Sequence, residues 1–223
     1  MKPYVTEKNL EQKVKVWLKA IKSYNRHLMM LNSKRAALLV IDMQNDFLLP
    51  NSLLLTVGGV AVISNIKKLI DRCRKNKMPI IFTAHVHKDP KVDGGMTAKW
   101  WPDLMKKRAL VDGKTGAGIF KKFSPRTDEL VICKHRYSAF YNTNLEVILR
   151  GLQVTDLIIT GVMTNICCES TARDAFFRDF RVFFIADATG SVTEELHLGS
   201  LRNLAYAFAY VTTTEEILKS LNP

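Results

Sequence analysis

Apolar and polar positions along the 223 residues follow two rhythms. Leu10, Val14, Trp17, Ile21, Tyr24 and Leu28 recur at spacings of 4, 3, 4, 3 and 4. This lays one apolar stripe along a helix of about 20 residues with lysines on its other faces. After Arg35 the rhythm changes: residues 36–41 are apolar without interruption, as in a parallel strand covered on both sides. Five further runs read as strands, at 79–84, 130–133, 157–160, 182–186 and 210–212, with helical patterns near 60–77, 98–108, 142–151, 166–179, 194–207 and 214–221. The alternation predicts an α/β fold: a doubly wound, mostly parallel six-stranded sheet with helices on both faces and right-handed crossovers. A basic amphipathic helical arm, residues 1–33, is expected to precede one domain over 34–223. The arm must pack either on its own chain or on a partner subunit. The longest irregular stretch is expected from His85 to Ala98, with Asp-Gly-Gly at 93–95. A loop of that length in a compact domain is more often functional than idle.

Composition narrows the class. With 47% hydrophobic and 24% charged residues the chain is globular rather than disordered. The apolar run 36–41 falls far short of the roughly 20 residues that span a bilayer, so no membrane partner is expected. The first 30 residues hold no 7–15-residue apolar stretch of a signal peptide. Cys73, Cys133, Cys167 and Cys168 fit neither a disulfide framework nor a zinc set, and a cytoplasmic location is expected. The net charge is +12, and residues 1–35 hold nine basic against two acidic side chains, +7 of that excess. A second cluster, Lys67, Lys68, Arg72, Arg74, Lys75 and Lys77, reads as one solvated helix face. No aromatic-interleaved basic strand or zinc-finger spacing accompanies the charge, so no nucleic-acid partner is expected.

In doubly wound sheets ligands bind outside the carboxyl ends of the strands. Asp42 stands there after the first strand, Lys134 at the end of the third, and Cys167 after the fourth. With Thr164 as N-cap, Cys167 sits in the first helical turn, where free N–H groups and the macrodipole favour a thiolate. A thiol is only slightly ionised at neutral pH, so a carboxylate that takes its proton makes it a usable nucleophile. Asp42 fits that role, and a nearby ammonium, Lys134, would hold Asp42 anionic. Cys168, one residue on and rotated about 100° around the helix, should point into packing.

The segments Asp-Met-Gln (42–44), Lys-His-Arg-Tyr-Ser-Ala-Phe (134–140) and Gly-Val-Met-Thr-Asn-Ile-Cys-Cys-Glu-Ser-Thr-Ala-Arg-Asp (161–174) resemble those of the isochorismatase-like superfamily of cysteine hydrolases. The resemblance covers about residues 34–220. It implies Asp42 as general base, Lys134 as its charge partner and Cys167 as nucleophile. It implies a cis peptide between Val162 and Met163, with the N–H groups of Met163 and Cys167 forming an oxyanion hole. Phe47 matches a pocket aromatic of amidase relatives, and Trp100 or Trp101 is expected to form another wall. Gln44, His87, Tyr137 and Asn165 complete the substrate-binding candidates, with Trp100 preferred of the two tryptophans.

Within that superfamily, Ile-Ala-Asp-Ala-Thr (185–189), Glu195, His197 and residues 213–218 are similar to isochorismatase. The sulfur at 167, Asn-Thr-Asn-Leu (142–145) and Glu-Ser-Thr (169–171) resemble ureidoacrylate amidohydrolases instead. The expected chemistry is hydrolysis of a C–N bond in a small amide or ureido substrate through a thioester. The alternatives are vinyl ether hydrolysis, with Asp42 as proton donor, and a noncatalytic oligomeric module working through its arm. Nicotinamidases carry Asp-x-His with a further histidine where this chain has His85-Val-His87 and no other histidine before His135. Two ligands at best remain, so neither metal nor other cofactor is expected. Resemblance further implies a homo-oligomer, a dimer or tetramer.

Overall fold

The computed structural model describes residues 3–221. Its six strands are β1 (Ala36–Ile41), β2 (Ile80–His85), β3 (Leu130–Lys134), β4 (Asp156–Val162), β5 (Arg181–Gly190) and β6 (Tyr210–Thr212). They form one sheet in the order β3-β2-β1-β4-β5-β6, and every pair is parallel. β1 and β4 are buried along their whole lengths, in register from Ala36 opposite Asp156 to Ile41 opposite Gly161. Their aliphatic side chains alternate to both faces, so both faces must be covered. Gly161 has φ +113°, and a Cβ there would lie 2.0 Å from the Ile41 carbonyl oxygen, so only glycine lets these two strand ends meet.

The helices are α1 (Leu10–Ile21), α2 (Asn45–Leu48), α3 (Val57–Ala61), α4 (Ile63–Lys75), α5 (Pro90–Asp93), α6 (Gly95–Trp100), α7 (Pro102–Lys107), α8 (Leu145–Gly151), α9 (Glu169–Phe176), α10 (Glu194–Ala207) and α11 (Thr214–Ser220). The chain leaves β1 through α4 toward β2 and leaves β4 through α9 toward β5, in opposite directions across the sheet. Right-handed connections of opposite direction fall on opposite faces, which places a switch point between β1 and β4. No helix among the described residues is long and apolar enough to cross a membrane.

Three local expectations change. The N-terminal helix ends at Ile21, leaving Tyr24 and Leu28 exposed. Its end is set by Asn25, whose side chain donates to Val211 O (2.7 Å) and accepts from Val211 N (3.1 Å), imitating a strand along the edge of β6. Leu10, Val14, Trp17 and Ile21 are buried in the same core as the central strands, against β5 and α10 of their own chain. The stretch 85–98 is largely short helices rather than irregular, and the helix expected over 98–108 is split at Pro102, which has no N–H to continue α6. Within the basic cluster, Arg74 is more than a solvated charge: it grips Glu129 through Nε (2.7 Å) and Nη2 (2.8 Å).

Candidate active site

Asp42, Lys134 and Cys167, 33 to 125 positions apart in sequence, converge at the carboxyl ends of β1, β3 and β4. Asp42 and Lys134 are fully buried and Cys167 is nearly so. Lys134 Nζ lies 2.7 Å from Asp42 Oδ2, donates to Cys167 Sγ at 3.4 Å, and spends a third hydrogen bond on Arg136 O at 3.0 Å. The other carboxylate oxygen, Oδ1, accepts from Thr83 Oγ1 at 2.6 Å, while Asp42 N–H donates to Thr83 Oγ1 and O. Oδ2 is fully buried against the Lys134 ammonium. Thr83 is a contact that the sequence reading missed; its signal is a lone hydroxyl in the otherwise apolar run Ile-Ile-Phe-Thr-Ala.

Electrostatics set the resting state. Burial penalises the Lys134 ammonium, yet the Asp42 carboxylate and Cys167 more than offset this and its pKa is raised. Burial pushes the Cys167 thiol up to about 12; Lys134 pulls it down, and the Asp42 charge and hydrogen bond push it up again. Burial is the largest of these effects, and it favours the neutral thiol over the thiolate expected of a first-turn cysteine. Cys168 points away, its sulfur 3.9 Å from Thr160 O, and is held further from ionisation by burial.

The turn that carries Cys167 differs from the expected capped helix. The Val162–Met163 peptide is cis, and residues 164–168 wind more widely than an α-helix. Thr164 does not cap it; its hydroxyl meets His197 Nδ1 at 2.8 Å, and Met163 occupies the cap position. Met163 O accepts from both Ile166 and Cys168 N–H, so the acceptor an α-helix would offer Cys167 N–H is taken. Among the described residues the Met163 N–H finds no acceptor.

A cavity of about 360 Å³ opens onto this turn. Phe47, Tyr137, Asn165, Met163 and Cys167 line it. Trp100 does not: it is 72% exposed, and Trp101 takes the wall position, donating to Tyr137 Oη at 3.2 Å. Gln44 is not on the cavity either. Its amide is consumed by His85 O, Ala117 O and His85 N–H, which ties β1 to β2. His87 lies behind His85, and it is His85 that reaches the cavity. A larger crevice, about 740 Å³, lies between α1, α4 and α11 and holds mixed charge without a nucleophile.

Two groups of metal-type donors lie together: Asp42, His85 and Cys167, and His87, Asp93 and His135, each set with its atoms within 4.8 Å of one another. The second corrects the count of two ligands, because α5 brings in Asp93 and β3 leads to His135. Several of these atoms already have partners: His87 faces His85 (3.2 Å) and Asp93 (3.0 Å), and His135 Nδ1 meets Val86 O.

A parallel doubly wound sheet with a buried Asp-Lys-Cys group at its switch point defines a class of hydrolase folds, and the comparisons narrow it. The isochorismatase domain profile matches residues 36–216, and the chain belongs to that family. It is 42% identical to Nicotinamidase 3 of Arabidopsis thaliana over 85% of this chain and 90% of that protein. It is 34% identical to Enterobactin synthase component B of Escherichia coli K12 over 85% of this chain, which spans only 65% of that relative. The structure resembles a cysteine hydrolase from Pseudomonas syringae pv. phaseolicola with TM-score 0.82 and 27% identity, over 87% of this chain and 95% of that one. The fold and the hydrolase family are those expected from the sequence.

Proposed function

We propose that the protein is a thiol-dependent amidohydrolase that cleaves the C–N bond of a small, uncharged amide or ureido compound. One observation carries this reading: a single buried ammonium, Lys134, sits 2.7 Å from the Asp42 carboxylate and 3.4 Å from the Cys167 sulfur. As the sulfur attacks the substrate carbonyl, the thiol proton passes to Asp42, a C–S bond forms and the carbonyl π pair moves onto oxygen. The N–H groups of Met163 and Cys167 receive that oxyanion, each well-placed donor contributing about 3–4 kcal/mol. Asp42 returns the proton to nitrogen, the C–N bond breaks and the amine or ammonia leaves. Water, deprotonated by Asp42, then cleaves the thioester and restores the thiol. Lys134 keeps Asp42 anionic between these transfers.

The walls supply the substrate class. Phe47, Trp101 and Tyr137 give flat apolar surface, and among the described lining residues there is neither lysine nor arginine. A substrate carboxylate would enter without a cationic partner, which favours a neutral carboxamide over acids such as isochorismate. The test is ammonia release from a panel of nicotinamide, carbamoyl and ureido compounds by wild type, Cys167→Ala and Cys168→Ala. Activity is expected in wild type and Cys168→Ala and absent in Cys167→Ala. Thiol-independent release of pyruvate from isochorismate would establish vinyl ether hydrolysis instead.

The same reading includes a cytoplasmic, homo-oligomeric enzyme. All four cysteines are free, as a reducing compartment keeps them. Phe176, Phe177 and Tyr206 leave apolar surface exposed on α9, α10 and the turn between α9 and β5, suited to self-association. Light scattering at defined concentration reads the assembly mass; a monomer would remove that part.

A further inference from the structure

A second hydrogen-bonded chain reaches the cavity from β2 and α5. Asp93 Oδ2 accepts from Lys88 N–H at 2.8 Å, and Oδ1 faces His87 Nδ1 at 3.0 Å. His87 Nε2 in turn faces His85 Nε2 at 3.2 Å. The chain is braced: Asp93 O accepts from Arg136 Nη1 at 2.9 Å.

These contacts fix the tautomers. An ionised carboxylate only accepts, so the His87 proton sits on Nδ1 and leaves Nε2 bare. The proton between the two Nε2 atoms therefore belongs to His85, and His85 Nδ1 carries a lone pair. The surroundings favour the neutral form of both rings: burial above all, then the Lys134 charge, holds His85 well below the ordinary histidine range, and burial lowers His87. Among the described residues His85 Nδ1 has no hydrogen-bond partner, although the ring lines the cavity. One nitrogen of this ring, an Asp42 oxygen and the Cys167 sulfur lie within 4.8 Å of one another.

We propose that His85 Nδ1 accepts a hydrogen bond from an N–H of the scissile amide, and that the Asp93–His87–His85 chain makes the site select substrates carrying that N–H. The inference rests on the amidohydrolase reading and deepens it. An ester or an N,N-dialkyl amide would present an oxygen lone pair or a methyl group to a lone pair, leaving a buried acceptor unpaired. Sites built to hydrogen-bond a substrate group reject analogues that lack it for this reason.

The experiment compares kcat/KM for a primary carboxamide and for the methyl ester of the same acid, both followed by the common acid product. Wild type, His85→Leu, His85→Asn and Cys167→Ala are compared. His85→Leu is expected to lower the carboxamide-to-ester ratio about tenfold or more, the size of one lost hydrogen bond. His85→Asn, whose side-chain oxygen can occupy the place of Nδ1, is expected to restore most of the ratio. An unchanged ratio in His85→Leu, with Cys167→Ala inactive on both compounds, overturns the acceptor role and leaves the amidohydrolase standing. Activity in Cys167→Ala overturns the amidohydrolase itself. Should His85→Leu not fold, ¹⁵N NMR of the wild-type imidazoles decides: Nε2–H on His85 is expected. Nδ1–H there, or one equivalent of a divalent metal in the purified protein, overturns the proposal.

Discussion

Lys134 is the residue on which the site's electrostatics turn, because it is a fully buried cation facing a fully buried anion. Removing one member of such a pair leaves an uncompensated charge in low dielectric, a cost of about 3–5 kcal/mol. Lys134→Met is expected to lose that much stability in urea unfolding, and Asp42→Asn combined with it to recover a large part. Equal losses in the single and the double variant would mean that the pair is not coupled. Much of this scale was legible in the sequence: the Asp, Lys and Cys were found because their types and strand-end positions suit one chemistry. Thr83, Trp101 and His85 were harder. Thr83 and His85 act through partners on other strands, and the choice between Trp100 and Trp101 depends on the register of a short helix, which periodicity alone does not resolve.

At the scale of elements, the N-terminal helix reads in sequence as an amphipathic arm that must pack on its own chain or on a partner subunit. In the structure Trp17 is 1% exposed, stacks 4.4 Å from the His197 ring and donates to Glu194 Oε1 at 2.7 Å. His197 in turn holds Thr164, the first residue of the nucleophile turn. The helix is thus part of the core that supports the site. Trp17→Ala should destabilise by about 3–5 kcal/mol, the range for deleting a large buried aromatic. Deleting residues 1–33 should yield protein sensitive to limited proteolysis. A truncated chain as resistant as the full one would show that the helix is dispensable for the fold. The stripe was visible in sequence as far as Ile21; its end was not, because Asn25 is captured by the distant strand β6.

For the whole molecule, buried titratable groups define the pH range of stability. Burial depresses His197 from 6.5 to about 4, so the folded state favours its neutral form. That stability is fully present above the unfolded value near 6.5 and is lost as pH falls toward 4, by about 3 kcal/mol. His197→Asn is expected to be less stable at pH 7 yet to lose less between pH 7 and 4 in thermal melts. A parallel decline in both proteins would deny His197 this role. On the alkaline side burial raises Tyr4, Cys73 and Cys167 to about 12. Their contribution is present below the unfolded values near 9 to 10 and disappears as pH rises toward 12. The sheet order behind all this was legible because uninterrupted apolar runs alternating with amphipathic ones permit few topologies.

In the proposed reaction the Cys167 sulfur forms a covalent bond to the acyl group of the substrate. Acid-quenched intact-protein mass spectrometry during turnover of an active carboxamide measures this directly. The account predicts an adduct of the acyl mass, mapped to the peptide carrying Cys167 and absent in Cys167→Ala. Steady turnover by Cys167→Ala, or an adduct that maps to Cys168, would contradict it.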